Sequence, residues 1–234
     1  KYDRLLQDDR NLGFNFKRHS VMRLSWVAFP DNEHRLVWSF HHILLEGWSM
    51  PVVFGELFAT YESIVSKQNI ALPIAPRYQD FIAWLNRQDA KAAFEFWTEY
   101  LSGFTATTPI PVRNSAAIAA EKARSLDGAS RYCEREIIIS GALLKGLQDV
   151  AKRYRITLNN ILQGAWGLLL NRYSGETDVL FGTTVSGRPA ELPGIEVMVG
   201  LFINTLPMRL DVKPGASFID WLQEQQARQS EIKN

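Results

Sequence analysis

The stretch FHHILLEGWS, Phe40 to Ser49, closes an apolar run with two adjacent histidines, and a carboxylate and a glycine follow. Imidazole is the side chain suited to taking up and returning a proton near neutral pH, and a nearby carboxylate can brace it. Other chemistries find less support. Neighbouring histidines on opposite faces of a strand do not readily share one metal, and HExxH is absent, so no metal is expected at His41, His42 and Glu46. Neither GxxxxGK[ST] nor GxGxxG occurs, which leaves nucleotide phosphate binding unsupported. There is no G-x-S-x-G elbow for a serine hydrolase. What remains is one histidine acting alone at a strand end, or two histidines that simply close a strand. Spacing alone does not choose between them.

The elements that must position these residues are legible nearby. MRLSWVAFPDNEHRLVWSFHH reads as two strands around a Pro-Asp-Asn turn, a hairpin. By the two-residue period, Leu36, Trp38, Phe40 and His42 share one face and Arg35, Val37, Ser39 and His41 the other. The two histidines are therefore expected to do different jobs. Ser49 can cap a helix with Pro51 in its first turn. Met50, Val53, Phe54, Leu57, Phe58, Tyr61, Ile64 and Val65 follow helical spacing, which predicts a helix lying along a core. YQDFIAWLNRQD and AAFEFWTEYLSGF read as further amphipathic helices, with Trp84 and Trp97 expected in the core.

Composition bounds the function. The chain has 234 residues, 46% of them apolar and 12% aromatic, enough to bury a core. Lys and Arg total 26 against 25 Asp and Glu, a net charge of +1, which argues against a nucleic-acid partner. A single cysteine, Cys133, excludes an internal disulfide framework and fits a reducing cytoplasm. No stretch approaches the ~20 apolar residues of a membrane span, and the opening KYDRLLQDDR lacks a signal-peptide pattern. With no initiator methionine and a helix-like last stretch, the chain is expected to be a piece of something longer.

Periodicity weakens between Thr105 and Ser130, so residues 1–104 and 131–234 are expected to be parts of two lobes joined by a linker or crossover at 105–130. RYCEREIII is expected as a strand, and Ser140 as the cap of a helix striped by Leu143, Leu144, Leu147, Val150 and Tyr154. TLNNILQGAWGLLLNRYSG is apolar almost all round and should be a buried helix ending near Gly175. Strand-like DVLFGTTVSGRP and GLFINTLPMRLDV follow, then a helix from Ser217. The pattern is a mixed α/β (α+β) fold.

Several of these stretches carry a family resemblance that extends over nearly the whole chain. HHILLEGWS resembles the HHxxxDG signature of condensation domains in non-ribosomal peptide synthetases. LGFNFKRHSVMRL is similar to the segment that precedes that signature, and YQDFIAWLNRQD to the family's Y-x-D-[FY]-x-x-W stretch. DVLFGTTVSGRP and VGLFINTLPMRL resemble later core motifs of the family, in the right order. Each is weak alone; together they are specific.

The resemblance implies a partial two-lobe architecture like chloramphenicol acetyltransferase, with parts of both lobes lying outside this chain. It implies amide formation between a donor acyl or peptidyl thioester and an acceptor aminoacyl thioester. No cofactor is bound directly; both substrates ride on phosphopantetheine arms. The implied partners are the upstream and downstream peptidyl carrier domains and an adjacent adenylation domain, in the cytoplasm. His42 matches the histidine given the base or positioning role, while His41 and Glu46 match structural positions and Gly47 one of close backbone approach. Backbone N–H groups near Gly47 and Trp48 are candidate donors to an oxyanion, with Asn204 a second-tier candidate for oxyanion or substrate contact. Ser186 and Arg188 are expected as solvated loop residues, with shaping of a carrier-facing loop as the alternative, and Arg209 as a structural or solvent-facing strand residue.

An ordinary α-amine, of pKa about 7.7–8.0, is a stronger base than an ordinary imidazole at about 6.5, so the expected role of His42 is positioning and late proton capture. Glu46 stands where the family has Asp. Its added methylene moves the carboxylate by roughly 1.5 Å, and the arginine that normally pairs there is expected from a part of the domain outside this chain. Glu46 is thus expected to lack a partner, and Glu46→Asp to preserve or raise stability. Three alternatives stay open: a non-catalytic docking or selectivity module of the same fold, an epimerisation domain, and a free-standing CoA-dependent acyltransferase. Epimerisation needs a second acid/base group across the substrate, and FGTTVSGRP holds no acidic residue to serve.

Overall fold

The computed structural model describes residues 1–17, 21–105, 107–110 and 136–232. Its elements in chain order are α1 (Tyr2–Leu12), β1 (Met22–Ala28), β2 (His34–Phe40), α2 (Ser49–Ser66), α3 (Tyr78–Leu85), α4 (Ala90–Tyr100), α5 (Gly141–Tyr154), α6 (Leu158–Ser174), β3 (Asp178–Val185), β4 (Asn204–Asp211) and α7 (Phe218–Ile232). Two compact units result, each discontinuous in sequence. The first comprises Lys1–Lys91 with Thr184–Asn204, and the second Ala92–Thr183 with Thr205–Asn234. Most of the 105–130 linker, Cys133 and the first half of the expected strand RYCEREIII lie outside the described residues. Residues 136–139 are described and are not a strand, with Ile137 and Ile138 almost fully exposed.

In the first unit, β1 and β2 form the expected antiparallel hairpin, with Met22 opposite Phe40 and Ala28 opposite His34. Asp31 and Asn32 make the reversal with φ of 66° and 58°, a left-handed conformation their short polar side chains tolerate. α1 is tied to the hairpin by charge. Arg23 Nε donates to Asp9 Oδ1 at 2.7 Å, and the Ser39 hydroxyl donates to the other oxygen of the same carboxylate. These bonds hold the Asp9 carboxyl below its ordinary range, the one from Arg23 contributing most. The opposite face of the hairpin is apolar and largely open, with Met22, Leu24, Trp26 and Leu36 exposed.

The expectation that α2 lies along a core is corrected. Its apolar stripe exists, but Leu57, Phe58, Tyr61, Ile64 and Val65 are all exposed, because the described residues supply no second apolar surface to cover it. The core of this unit instead gathers Phe81, Ile195, Met198 and Phe202, with Tyr78, Trp84 and Leu192 packed against them. Trp84, expected in the core, is half-buried and packs against its edge.

The second unit is built on a two-stranded sheet of β3 and β4. Val179, Met208, Leu210 and Val212 meet Ile156, Ile161, Leu170, Trp221 and Leu222 in one cluster. Trp97 is half-buried, its ring edge-on to Tyr100 at 5.6 Å between centroids. Ser140 caps α5 by accepting from the Leu143 N–H, and Gly175 ends α6 with φ of 78°. α6 is buried on one face only. Gly164 and Gly167 approach Leu222 and Leu210 closely, whereas Leu162, Trp166, Leu168 and Leu169 remain exposed. Arg209 is structural: its guanidinium pairs with Asp178 at 2.7 Å and donates to the carbonyls of Tyr100 and Ser102.

Candidate active site

The histidine pair lies in the first unit, just past β2. The strand ends at Phe40, and His42–Leu44 form a turn closed by Leu44 N–H donating to His41 O at 3.0 Å. Strand alternation therefore stops before the histidines, which corrects the reason given for their difference. Their surroundings differ all the same. His41 is half-buried, its backbone N–H donating to Val21 O and its ring packed edge-on against Phe14 and Phe16, at 6.2 and 4.8 Å between centroids. Its Nδ1 accepts from the Ile43 N–H at 3.1 Å, which pins the next peptide of the turn. Phe14 is held in turn by Arg23, whose guanidinium carbon stands 4.3 Å from its ring centroid. His42 is exposed at the head of the turn.

Two residues past the turn lies Glu46, only 5% exposed. An isolated carboxylate would not be stable there, and the expectation that it lacks a partner is overturned. Arg188 Nε donates to Glu46 Oε1 at 3.0 Å, with Nη2 2.9 Å from the same oxygen in an ion pair, while the backbone N–H groups of Phe202 and Ile203 donate to Oε2 at 3.0 and 2.6 Å. Arg188, expected to be solvated, is buried. Its Nη1 donates to the carbonyls of Ile195 and Met198, and its Nη2 also reaches Ser49 Oγ at 3.2 Å. Each of the three guanidinium nitrogens thus donates at least one hydrogen bond. The planar group also lies 3.9 Å from the Phe202 ring centroid.

Ser49 is fully buried and caps nothing; α2 starts with Trp48 at its N-cap and no side-chain cap. The Ser49 hydroxyl instead accepts from the Gly200 N–H at 3.2 Å and donates to Gly200 O at 3.0 Å. A second tether comes from Trp48, whose indole N–H donates to Glu196 O at 2.9 Å while the ring stays exposed. Gly47 is exposed, and a Cβ there would meet nothing within 4 Å, so no contact among the described residues demands a glycine. Gly187 is different. With φ of 62°, a Cβ there would sit 1.8 Å from Phe202 O, so only glycine lets the SGRP loop lie against the 200–203 segment. Asn204 begins β4, exposed.

The arrangement is a short turn presenting one exposed imidazole, locked at one side by a half-buried histidine and at the other by a buried ion pair. Sequence reasoning missed Arg188, the hydroxyl of Ser49, and the N–H groups of Phe202 and Ile203. The signal available was the rule that a buried carboxylate requires a cation. Among the described residues, no three His, Cys, Asp or Glu side chains gather as a metal-holding group, and no helix is long and apolar enough to cross a membrane.

A mixed α/β chain with this histidine turn is what the fold and site define, and comparison with known proteins makes the class specific. The condensation domain family model matches residues 1–234, and the chain belongs to that family. It is 44% identical over 227 residues to a linear gramicidin synthase of Brevibacillus parabrevis, covering 97% of this chain and 4% of that protein. The fold is shared with the first condensation domain of the calcium-dependent antibiotic synthetase, at a TM-score of 0.73 and 19% identity, covering 98% of this chain and 49% of that one. It is shared as well with the epimerization domain from the third module of tyrocidine synthetase B, at a TM-score of 0.70 and 17% identity, covering 95% and 49%. The chain therefore spans about half the length of these solved structures and a small fraction of the synthase.

Proposed function

We propose that this chain is part of a condensation domain that joins a donor acyl or peptidyl thioester to an acceptor aminoacyl thioester, both held on phosphopantetheine arms of carrier domains. The observation that carries the reading is the exposed His42 on a turn anchored at Glu46 by Arg188 and two backbone N–H groups. In the reaction the acceptor amine attacks the thioester carbonyl. The C–N bond forms, the C–S bond breaks, and the donor arm leaves as a thiolate. The nitrogen becomes strongly acidic as it bonds, and the His42 imidazole takes its proton and returns one to the thiolate. Such help is typically worth ~10²–10⁴-fold. Backbone N–H groups at Gly47 and Trp48, with Asn204 in second place, are the proposed donors to the oxyanion. Residues 1–104 are assigned to the N-terminal lobe and 131–234 to the C-terminal lobe. The partners are the flanking carrier domains and an adjacent adenylation domain, acting in the cytoplasm.

Epimerisation is the nearest rival, since a domain of that activity shares the fold. The complete domain, given one aminoacyl-carrier thioester in D₂O, should take up no deuterium at Cα beyond background. With donor and acceptor carriers together it should form the amide. Rapid His42-dependent deuterium uptake without acceptor would replace condensation with epimerisation, and absence of both reactions would favour a docking module.

A further inference from the structure

Glu46 is held not only by Arg188 but by the peptide between Leu201 and Phe202, and that peptide is itself held from its other side. The Tyr78 hydroxyl donates to Leu201 O at 2.6 Å, while the N–H of the same peptide unit, on Phe202, donates to Glu46 Oε2 at 3.0 Å. We propose that Tyr78 is a positioning residue for the reaction at His42, acting through this peptide and the Glu46 carboxylate. The inference rests on the condensation reading of the site.

The physical basis is peptide resonance. A donor on the carbonyl oxygen draws electron density from nitrogen and makes the N–H a stronger donor, so hydrogen bonds on the two ends of one amide reinforce each other. A charged acceptor such as Glu46 gains most from that. Tyr78 is placed for this by its packing. Its ring lies against Phe81 and Phe202, with centroids 5.6 and 5.2 Å away. The ring also fills the space beside Gly200, where a Cβ would lie 2.2 Å from Cδ2. Only glycine lets the segment run under the ring. Burial, with the charge of Glu46 adding to it, raises the phenol above its ordinary pKa, so the hydroxyl keeps its proton at neutral pH. Tyr78 opens α3, remote in sequence from the histidine turn, and touches no reacting atom. Its effect on His42 passes through Glu46, the residue at which the turn is anchored.

The test is Tyr78→Phe in the complete domain, which keeps the ring and removes only the hydroxyl, with Tyr78→Leu as the control that removes both. Two readings are taken: hydrogen–deuterium exchange of the peptide spanning 199–204, and kcat and KM for amide formation between two carrier-bound substrates. Tyr78→Phe should speed exchange at Phe202 and Ile203 and lower kcat by about 3- to 10-fold, the worth of one neutral hydrogen bond, with KM unchanged. In a His42→Ala background the kcat effect should vanish. A ring-packing role predicts that Phe substitutes without loss, and wild-type exchange or wild-type kcat in Tyr78→Phe would overturn the proposal. Failure of the unmodified domain to form amide would overturn the proposed function instead. The link from Tyr78 to Glu46 is then judged on exchange alone, where faster exchange supports it and unchanged exchange overturns it.

Discussion

Glu46 and Arg188 meet at 2.9 Å across 142 residues of sequence, both side chains almost fully buried. The pair closes the SGRP loop onto the end of the histidine turn. It explains how a carboxylate one methylene longer than the family's usual Asp is accommodated: the longer arm reaches Arg188 and the 202–203 backbone together.

Arg188→Ala should be among the most damaging substitutions in the chain. It leaves a buried carboxylate and two backbone carbonyls short of donors, a loss on the order of 3–5 kcal/mol. Arg188→Lys cannot present five donors in a plane and should recover only part of it. Chemical denaturation of the complete domain measures both.

Glu46→Asp should lower stability, against the expectation drawn from the family signature. The shorter side chain retracts the carboxylate from Phe202 N–H, Ile203 N–H or Arg188, at a cost of about 1–3 kcal/mol. A thermal melt of the variant beside the parent decides it; an unchanged or higher midpoint would mean the turn relaxes to follow.

The two histidines should separate in a kinetic assay. His42→Ala should cut amide formation by ~10²–10⁴-fold with an unaltered melting curve. His41→Ala should lower the melting point, since it removes the Nδ1 acceptor and the Phe14 and Phe16 contacts. His41→Asn, whose side-chain oxygen can stand near the Nδ1 position, should restore part of it.

Asp9 gives the first unit a defined acid sensitivity. Its carboxyl is held below its ordinary pKa by Arg23 and Ser39, so the folded state favours the ionised form. The associated stability is present above the ordinary carboxylate pKa and is lost as pH falls through the lower folded value. Asp9→Asn should therefore cost stability at pH 7, and the difference from the parent should shrink on acidification. Urea midpoints across that range provide the measurement.

The isolated 234-residue chain should bind hydrophobic dyes and self-associate. The exposed stripe of α2 and the open hairpin face carry Leu57, Phe58, Tyr61, Leu24 and Trp26 in contiguous patterns, which soluble domains seldom leave uncovered. Sedimentation with and without the remainder of the domain would show whether that remainder suppresses the association.

Local signals accounted for much of the fold. The Pro-Asp-Asn reversal, the Ser140 cap, the Gly175 stop and the helical stripes are each written within a few residues, because backbone conformation and side-chain periodicity are short-range properties. The order of the motifs, again a linear property, was enough to indicate the family. Sequence also singled out His42 and the carboxylate after it. What it did not contain was the identity of the carboxylate's partner. Arg188 looked like a loop residue, Ser49 like a helix cap and Tyr78 like the start of one more amphipathic helix, since nothing local distinguishes a solvated arginine from one that loop closure carries into a core. Only tertiary structure could assign them, because a buried charge is stable solely where the chain brings opposite charge and N–H groups to it from distant positions. The same holds for α2, whose apolar stripe is set by sequence but whose burial depends on which surfaces fold over it.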